Sequence, residues 1–295
     1  MATTEDGARP LARTSWDPGP LPGTGGAAPV RRPAPGGLPG GPIVKHSWEM
    51  PLVWVFTALV VAASVTVPVY GPPELTAVAG FVVLAGVAVF LGRGMLYARQ
   101  RLSGVRVTPE QFPEAHAMLV EAAAAYGLRR VPEAFVVLGN GVLNAFASGH
   151  GHRRFVVFNS DLFEVGGRLR DPEAFRFVLG HEVGHIAAGH TSYLRMLLSS
   201  VGSVLPVAGA TLSRAQEYTA DNHGYALTPD GSRGLTVLAA GRYLYPQVDF
   251  DAMADRAAVE RGFFAFVANA LSTHPVLVKR FAALRDRSRP GRLFR

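Results

Sequence analysis

Two apolar runs, Leu52 to Tyr70 and Leu75 to Gly92, stand out near the start of the chain, nineteen and eighteen residues long and without a charge. At about 1.5 Å per helical residue, each comes close to the roughly 30 Å of a bilayer's hydrocarbon layer, so the pattern predicts two spanning helices. Only GPPE separates them, which predicts a tight hairpin with both outer ends on one side of the membrane. Trp48, Trp54, Tyr70 and Tyr97 lie near the ends of the runs, where interfacial aromatics collect. Gly80, Gly86 and Gly92, with no polar face around them, suit helix contact in lipid better than a soluble core.

Beyond the hairpin the periodicity changes. Pro113 to Tyr126 reads as an alanine-rich helix ended by Gly127. Glu133 to Leu138, Val142 to Ala147 and Arg154 to Phe158 read as short strands, with Asn140-Gly141 and the Gly149 to Gly151 stretch as turns. Everything from Pro172 onward reads as helices. The prediction is a mainly helical α+β fold in which residues 46–101 form the transmembrane hairpin and residues 102–295 a domain with one small sheet. A third apolar run, Met196 to Leu212, is seventeen residues long and marginal for a crossing.

Charge gives these segments an orientation. Arg31, Arg32 and Lys45 precede the first span, Arg93, Arg99, Arg101 and Arg106 follow the second, and the connection has no basic residue. The positive-inside rule then predicts both termini and the domain that follows the hairpin in the cytoplasm, at the plasma or inner membrane. These flanks and a basic tail from Arg285 to Arg295, which could rest on anionic lipid, explain much of the net charge of +7. Basic and aromatic residues do not interleave as in a recognisable nucleic-acid module, so nucleic-acid binding is a weak alternative and no nucleic-acid partner is expected. Residues 1–45 are dense in Pro and Gly and predict a disordered tail. The tail is not expected to be a secretory signal, because the apolar run begins some fifty residues in. Cysteine is absent, which excludes disulfides and thiolate metal sites.

Chemistry is concentrated in HEVGH, His181 to His185, and in SRAQEYTADNHG, Ser213 to Gly224. Asp171-Pro172 caps a helical pattern leading into the first motif, so His181 and His185, four apart, share a face and can reach one metal ion. Glu182, off the edge of that face, can take a proton from an activated water. Glu217 is the best third ligand, and Asp221, one turn on, can accept a hydrogen bond from a ligating histidine. His190 is out of register for a same-helix third histidine, which needs positions held here by Ala188 and Thr191, so a solvent-facing or supporting role is expected. One zinc joining His181 to Glu217 forbids a single crossing by Met196 to Leu212. The thirty-one residues between His185 and Glu217 are too few for two spans. A short helical hairpin around Gly202 to Gly209 is therefore expected, dipping into the membrane or packed over the active-site helix.

HEVGH with its trailing His190, SRAQEYTADNHG, and STHPVLVKRFAAL from Ser272 to Leu284 together resemble the membrane zinc metallopeptidases that include the heat-shock protease HtpX and the CAAX prenyl proteases. The resemblance spans roughly residues 50 to 288. It implies a zincin-like, glutamate-ligand peptidase domain with one zinc ion per chain, cutting membrane or misfolded polypeptides. LNAFA, Leu143 to Ala147, resembles the edge strand that holds an extended substrate, which implies backbone contacts from Asn144 and Ala145. His274 would stabilise the oxyanion or ligate zinc at rest, and Arg280 would partner a site carboxylate such as Asp221. Four-span members of the family place two further spans where this chain has only Met196 to Leu212. Two other functions remain open: a prenyl-peptide protease of the same chemistry, and a catalytically silent zinc-binding scaffold.

Overall fold

The structure, a computed structural model, describes residues 37–164, 167–200, 202, 205–288 and 290–294, with the backbone alone at 76–79, 81–82, 85 and 233. Most of the Pro/Gly-rich tail, residues 1–36, lies outside the described residues. Helices α1 (Glu49–Tyr70) and α2 (Pro73–Ser103) are joined by Gly71 and Pro72 alone, because Pro73 and Glu74 already belong to α2. Among the described residues, α1 is the one helix long and apolar enough to cross a membrane by length and composition. Only its first turns are buried, through Glu49, Val53 and Phe56. Helix α2 continues well beyond its apolar run, and its last turns set Leu96 and Tyr97 against one face of the sheet.

That sheet comprises β1 (Val105–Arg106), β2 (Glu133–Val137), β3 (Ala145–His150) and β4 (Arg153–Asn159) in the order β1-β2-β4-β3. Strands β2 and β4 are parallel and the other pairs antiparallel. Period-two alternation sends Phe135, Phe155 and Val157 toward α2, and Ala134, Val136, Val156 and Phe158 into the main core with Met118 and Leu119 of α3 (Pro113–Ala125) and Phe175 and Leu179 of α4 (Pro172–Ala187). Strand β3 starts three residues later than the sequence pattern suggests. Asn140 and Gly141, both with positive φ, hold a turn closed by Val142 N–H donating to Gly139 C=O at 2.9 Å. The turn does not pair β2 with β3. It carries the chain past β4, leaving β3 as an edge.

Helix α5 (Tyr193–Leu198) leads toward α6 (Pro206–Leu227). A Cβ on Gly209 would fall 2.1 Å from the Gly202 carbonyl oxygen, and one on Gly202 would fall 3.0 Å from the Phe56 ring. Within the third apolar run the backbones of Gly202 and Gly209 therefore touch, at the root of α1. Tyr193 donates to the Gly86 carbonyl at 2.8 Å, which ties α5 to the middle of the second apolar run. Leu194, Leu197, Leu205 and Val207 stay exposed beside it.

Helices α7 (Leu235–Leu244), α8 (Phe250–Val259), α9 (Phe263–Leu271) and α10 (Leu277–Arg285) complete the domain. A second core of Phe177, Leu235, Ala254, Phe281 and Leu284 joins α4 to three of them. Residues on either side of the chain converge on α6. Gly40 N–H donates to Ala226 C=O, His46 N–H donates to Thr219 Oγ1, and the His46 ring stacks on Tyr218 and bonds to the Gly291 carbonyl. The basic C-terminal tail is accordingly part of the fold through Leu293, which is buried.

Candidate metal centre and cleft

Asp171 starts α4 by accepting a hydrogen bond from Ala174 N–H at 3.0 Å, and Pro172 occupies the first helical position. The helix then runs through the core, burying Phe175, Phe177, Leu179 and Val183. Two of its glycines decide how near α6 can come. A Cβ on Gly184 would meet His223 Cβ at 2.5 Å, and one on Gly180 would meet Gly224 Cα at 3.1 Å. Without side chains at these positions the helices close up, and the face of α6 bearing Glu217 and Asp221 lies opposite the two histidines.

His181 Nε2 and His185 Nε2 stand 3.2 Å apart. Glu217 Oε2 is 3.6 Å from His181 Nε2, and its Oε1 is 3.4 Å from His185 Nε2. Tetrahedral ligands about 2.0–2.1 Å from a zinc ion stand roughly 3.3–3.4 Å from one another, so this donor triangle has the size that such an ion requires. Two imidazoles and a carboxylate are also a zinc donor set, and among the described residues this is the group able to hold a metal ion.

Each histidine is held from behind. Asp221 Oδ1 lies 2.9 Å from His181 Nδ1, and Arg280 donates to Asp221 through Nε at 2.9 Å and Nη2 at 2.6 Å. Burial opposes protonation of His181, but the hydrogen bond and charge of Asp221, with the charge of Glu217, raise its pKa. Burial would likewise raise the pKa of Glu217 and Asp221. The neighbouring histidines and Arg280 outweigh it and keep both carboxyls ionised well below the usual range. His185 Nδ1 lies 2.7 Å from Nδ1 of His190, which is buried and whose pKa desolvation lowers to about 4. His190 is thus neither solvent-facing nor in reach of the donor triangle.

The triangle opens into a cleft of about 440 Å3 lined by Glu182, Gln216, Leu238, His274 and the segment Asn144 to Ser148. His274 Nε2 lies 3.6 Å from Glu217 Oε1 on a side chain that is 66% exposed, at the mouth. Along one wall runs the open edge of β3. Asn159 N–H donates to the Asn144 carbonyl at 2.9 Å, so Asn144 faces β4, and the antiparallel alternation turns the backbone of Ala145, Ala147 and Gly149 outward. Ala145 and Ala147 therefore offer the cleft backbone, while the Asn144 carbonyl is already engaged by β4. Gly149 is already engaged, since Arg93 of α2 donates to its carbonyl at 2.6 Å and to that of Thr191 at 2.6 Å.

Arg93, Glu49 and the helix-closing glycines escape a reading based on motifs. Gly180 and Gly184 are spaced for close helix contact, and Glu49 is a carboxylate in an otherwise basic flank of an apolar run. These are the signals that could have found them.

The sequence model of Peptidase family M48 matches residues 109–211 and 194–288. No curated protein matches the chain.

Proposed function

The chain belongs to Peptidase family M48, and on that premise we propose that it is a membrane-anchored, zinc-dependent endopeptidase of the HtpX kind, acting on polypeptides at the cytoplasmic face of the membrane. The observation that carries the reading is the convergence of His181, His185 and Glu217 donor atoms within 4.8 Å of one another at the floor of a cleft that Glu182 also lines.

Bound by His181, His185 and Glu217, zinc would supply Lewis acidity, polarising a peptide carbonyl and acidifying a water. Glu182 takes the proton of the attacking water and passes it to the leaving amine. Ala145 and Ala147 hold an extended peptide by strand addition, with Asn144 beside them in the cleft wall. His274, at the mouth, donates to the carbonyl oxygen as charge builds. Asp221 and Arg280 keep the His181 ring oriented throughout. Membrane anchoring is supported by the apolar, largely exposed α1 and by the basic residues that flank the hairpin.

The test is purification in detergent with zinc quantified, followed by casein cleavage with and without a chelator, set beside a farnesylated peptide. Cleavage of casein that chelation abolishes and zinc restores is the expected result. Cleavage of the farnesylated peptide alone would move the chain to the prenyl-peptide class. Bound zinc with no cleavage of either would make it a scaffold.

A further inference from the structure

The carboxylate of Glu49, at the root of α1, is 0% exposed and fully engaged. Its Oε1 accepts from Arg195 Nη2 at 2.7 Å and lies 3.2 Å from His190 Nε2, while its Oε2 accepts from the Thr219 hydroxyl. Arg195 alone would neutralise the charge, so a buried ion pair accounts for part of the cluster. It does not account for His190, whose other ring nitrogen lies 2.7 Å from His185 Nδ1.

The order of protons along this line follows from donor and acceptor chemistry. A carboxylate only accepts, so His190 carries its hydrogen on Nε2 and leaves Nδ1 as a lone pair. That lone pair accepts from His185 Nδ1–H. His185 must then present its Nε2 lone pair to the centre, the form in which imidazole binds a metal. With His190 in the opposite tautomer, two N–H groups would meet, or His185 would move its hydrogen onto Nε2 and lose its ligand atom. Asp221 performs this service for His181 directly.

We propose that Glu49 is a positioning residue for the metal ligand His185, acting through His190, so that the first turn of the membrane helix helps to build the metal centre. The proposal rests on the reading of His181, His185 and Glu217 as zinc ligands.

The experiment uses the full chain in detergent, with zinc affinity measured by competition against a chromophoric chelator and the visible spectrum recorded after cobalt(II) substitution. Glu49→Gln removes the anionic acceptor and is expected to weaken zinc binding about 10–100-fold and to shift the cobalt bands. His190→Ala should do the same. In the His190→Ala background, Glu49→Gln should then change affinity less than about twofold, since a relay cut once is not cut again. Equal losses in both backgrounds, or unaltered affinity and spectrum in Glu49→Gln, would overturn the proposal. Should Glu49→Gln not fold, His190→Ala decides, because it leaves the Glu49–Arg195 pair in place, and wild-type affinity there would refute the relay. A wild-type chain that binds no zinc would overturn the metal reading itself, whereas a zinc-binding chain indifferent to Glu49 and His190 would overturn this proposal alone.

Discussion

Arg280 grips Asp221 with two hydrogen bonds, and the oxygen that receives the shorter one, Oδ1, is also the one that meets His181 Nδ1. One carboxylate thus neutralises a buried guanidinium and orients a candidate metal ligand. Asp221→Asn removes the carboxylate hydrogen-bonded to buried Arg280 and leaves it only the more distant Glu217, at 3.9 Å; breaking such a pair typically costs about 3–5 kcal/mol. Thermal melts in the presence of a chelator should show that loss, and zinc competition should show binding weakened about 10–100-fold. A metal-free stability equal to that of wild type would contradict the pairing.

Glu182 lines the cleft without joining the donor triangle. Glu182→Gln keeps the shape and removes the base. Zinc content should stay at the wild-type level while casein turnover falls by about 100-fold or more. Zinc lost together with activity would reassign Glu182 to the ligand set.

Gly209→Ala puts a Cβ 2.1 Å from the Gly202 carbonyl oxygen. Backbone cannot swing aside like a flexible side chain, so this overpacking should destabilise the fold by about 1–3 kcal/mol. Gly92→Ala is the control, since nothing lies within 4 Å of a Cβ there. Melting temperatures should fall for the first variant and hold or rise slightly for the second.

His223 is buried between Gly184 and the Tyr126 ring, its Nδ1 2.8 Å from the Thr219 carbonyl, and desolvation lowers its pKa to about 4. Between that value and the unfolded value of about 6.5, the unfolded chain takes up a proton that the folded chain refuses. Stability is therefore fully present above about pH 6.5 and declines as pH falls toward about 4, by at most a few kcal/mol from this group. Urea midpoints measured from pH 7.5 to 4.5 should drop more steeply for wild type than for His223→Gln. Parallel curves would remove His223 as the cause.

What the sequence conveyed about the site depended on distance along the chain. His181, Glu182 and His185 lie within one helical turn and a half, where spacing alone fixes relative direction, and Glu217 and Asp221 are related in the same way on a second helix. How the two helices meet was encoded only as Gly180, Gly184 and Gly224, small residues whose meaning appears once α6 approaches. Glu49 is 141 residues from His190, and no local rule connects them. The strand near LNAFA was legible through its alternation, but its start moved because the Asn140-Gly141 turn uses Val142 to close itself. Nor could alternation reveal that β2 pairs with β4 in parallel, the circumstance that makes β3 an edge.

The clamp on the root of α1 has a mechanical consequence. Gly40 and His46, in the segment leading into α1, bind α6, and Tyr97 is buried beneath the sheet where α2 leaves its apolar run. Neither attachment is a flexible tether. With α1 spanning a bilayer as proposed, these attachments would hold the cleft at one height above the lipid. Such an arrangement would act as a ruler: a scissile bond would come within range by its distance from the membrane surface as well as by its side chains.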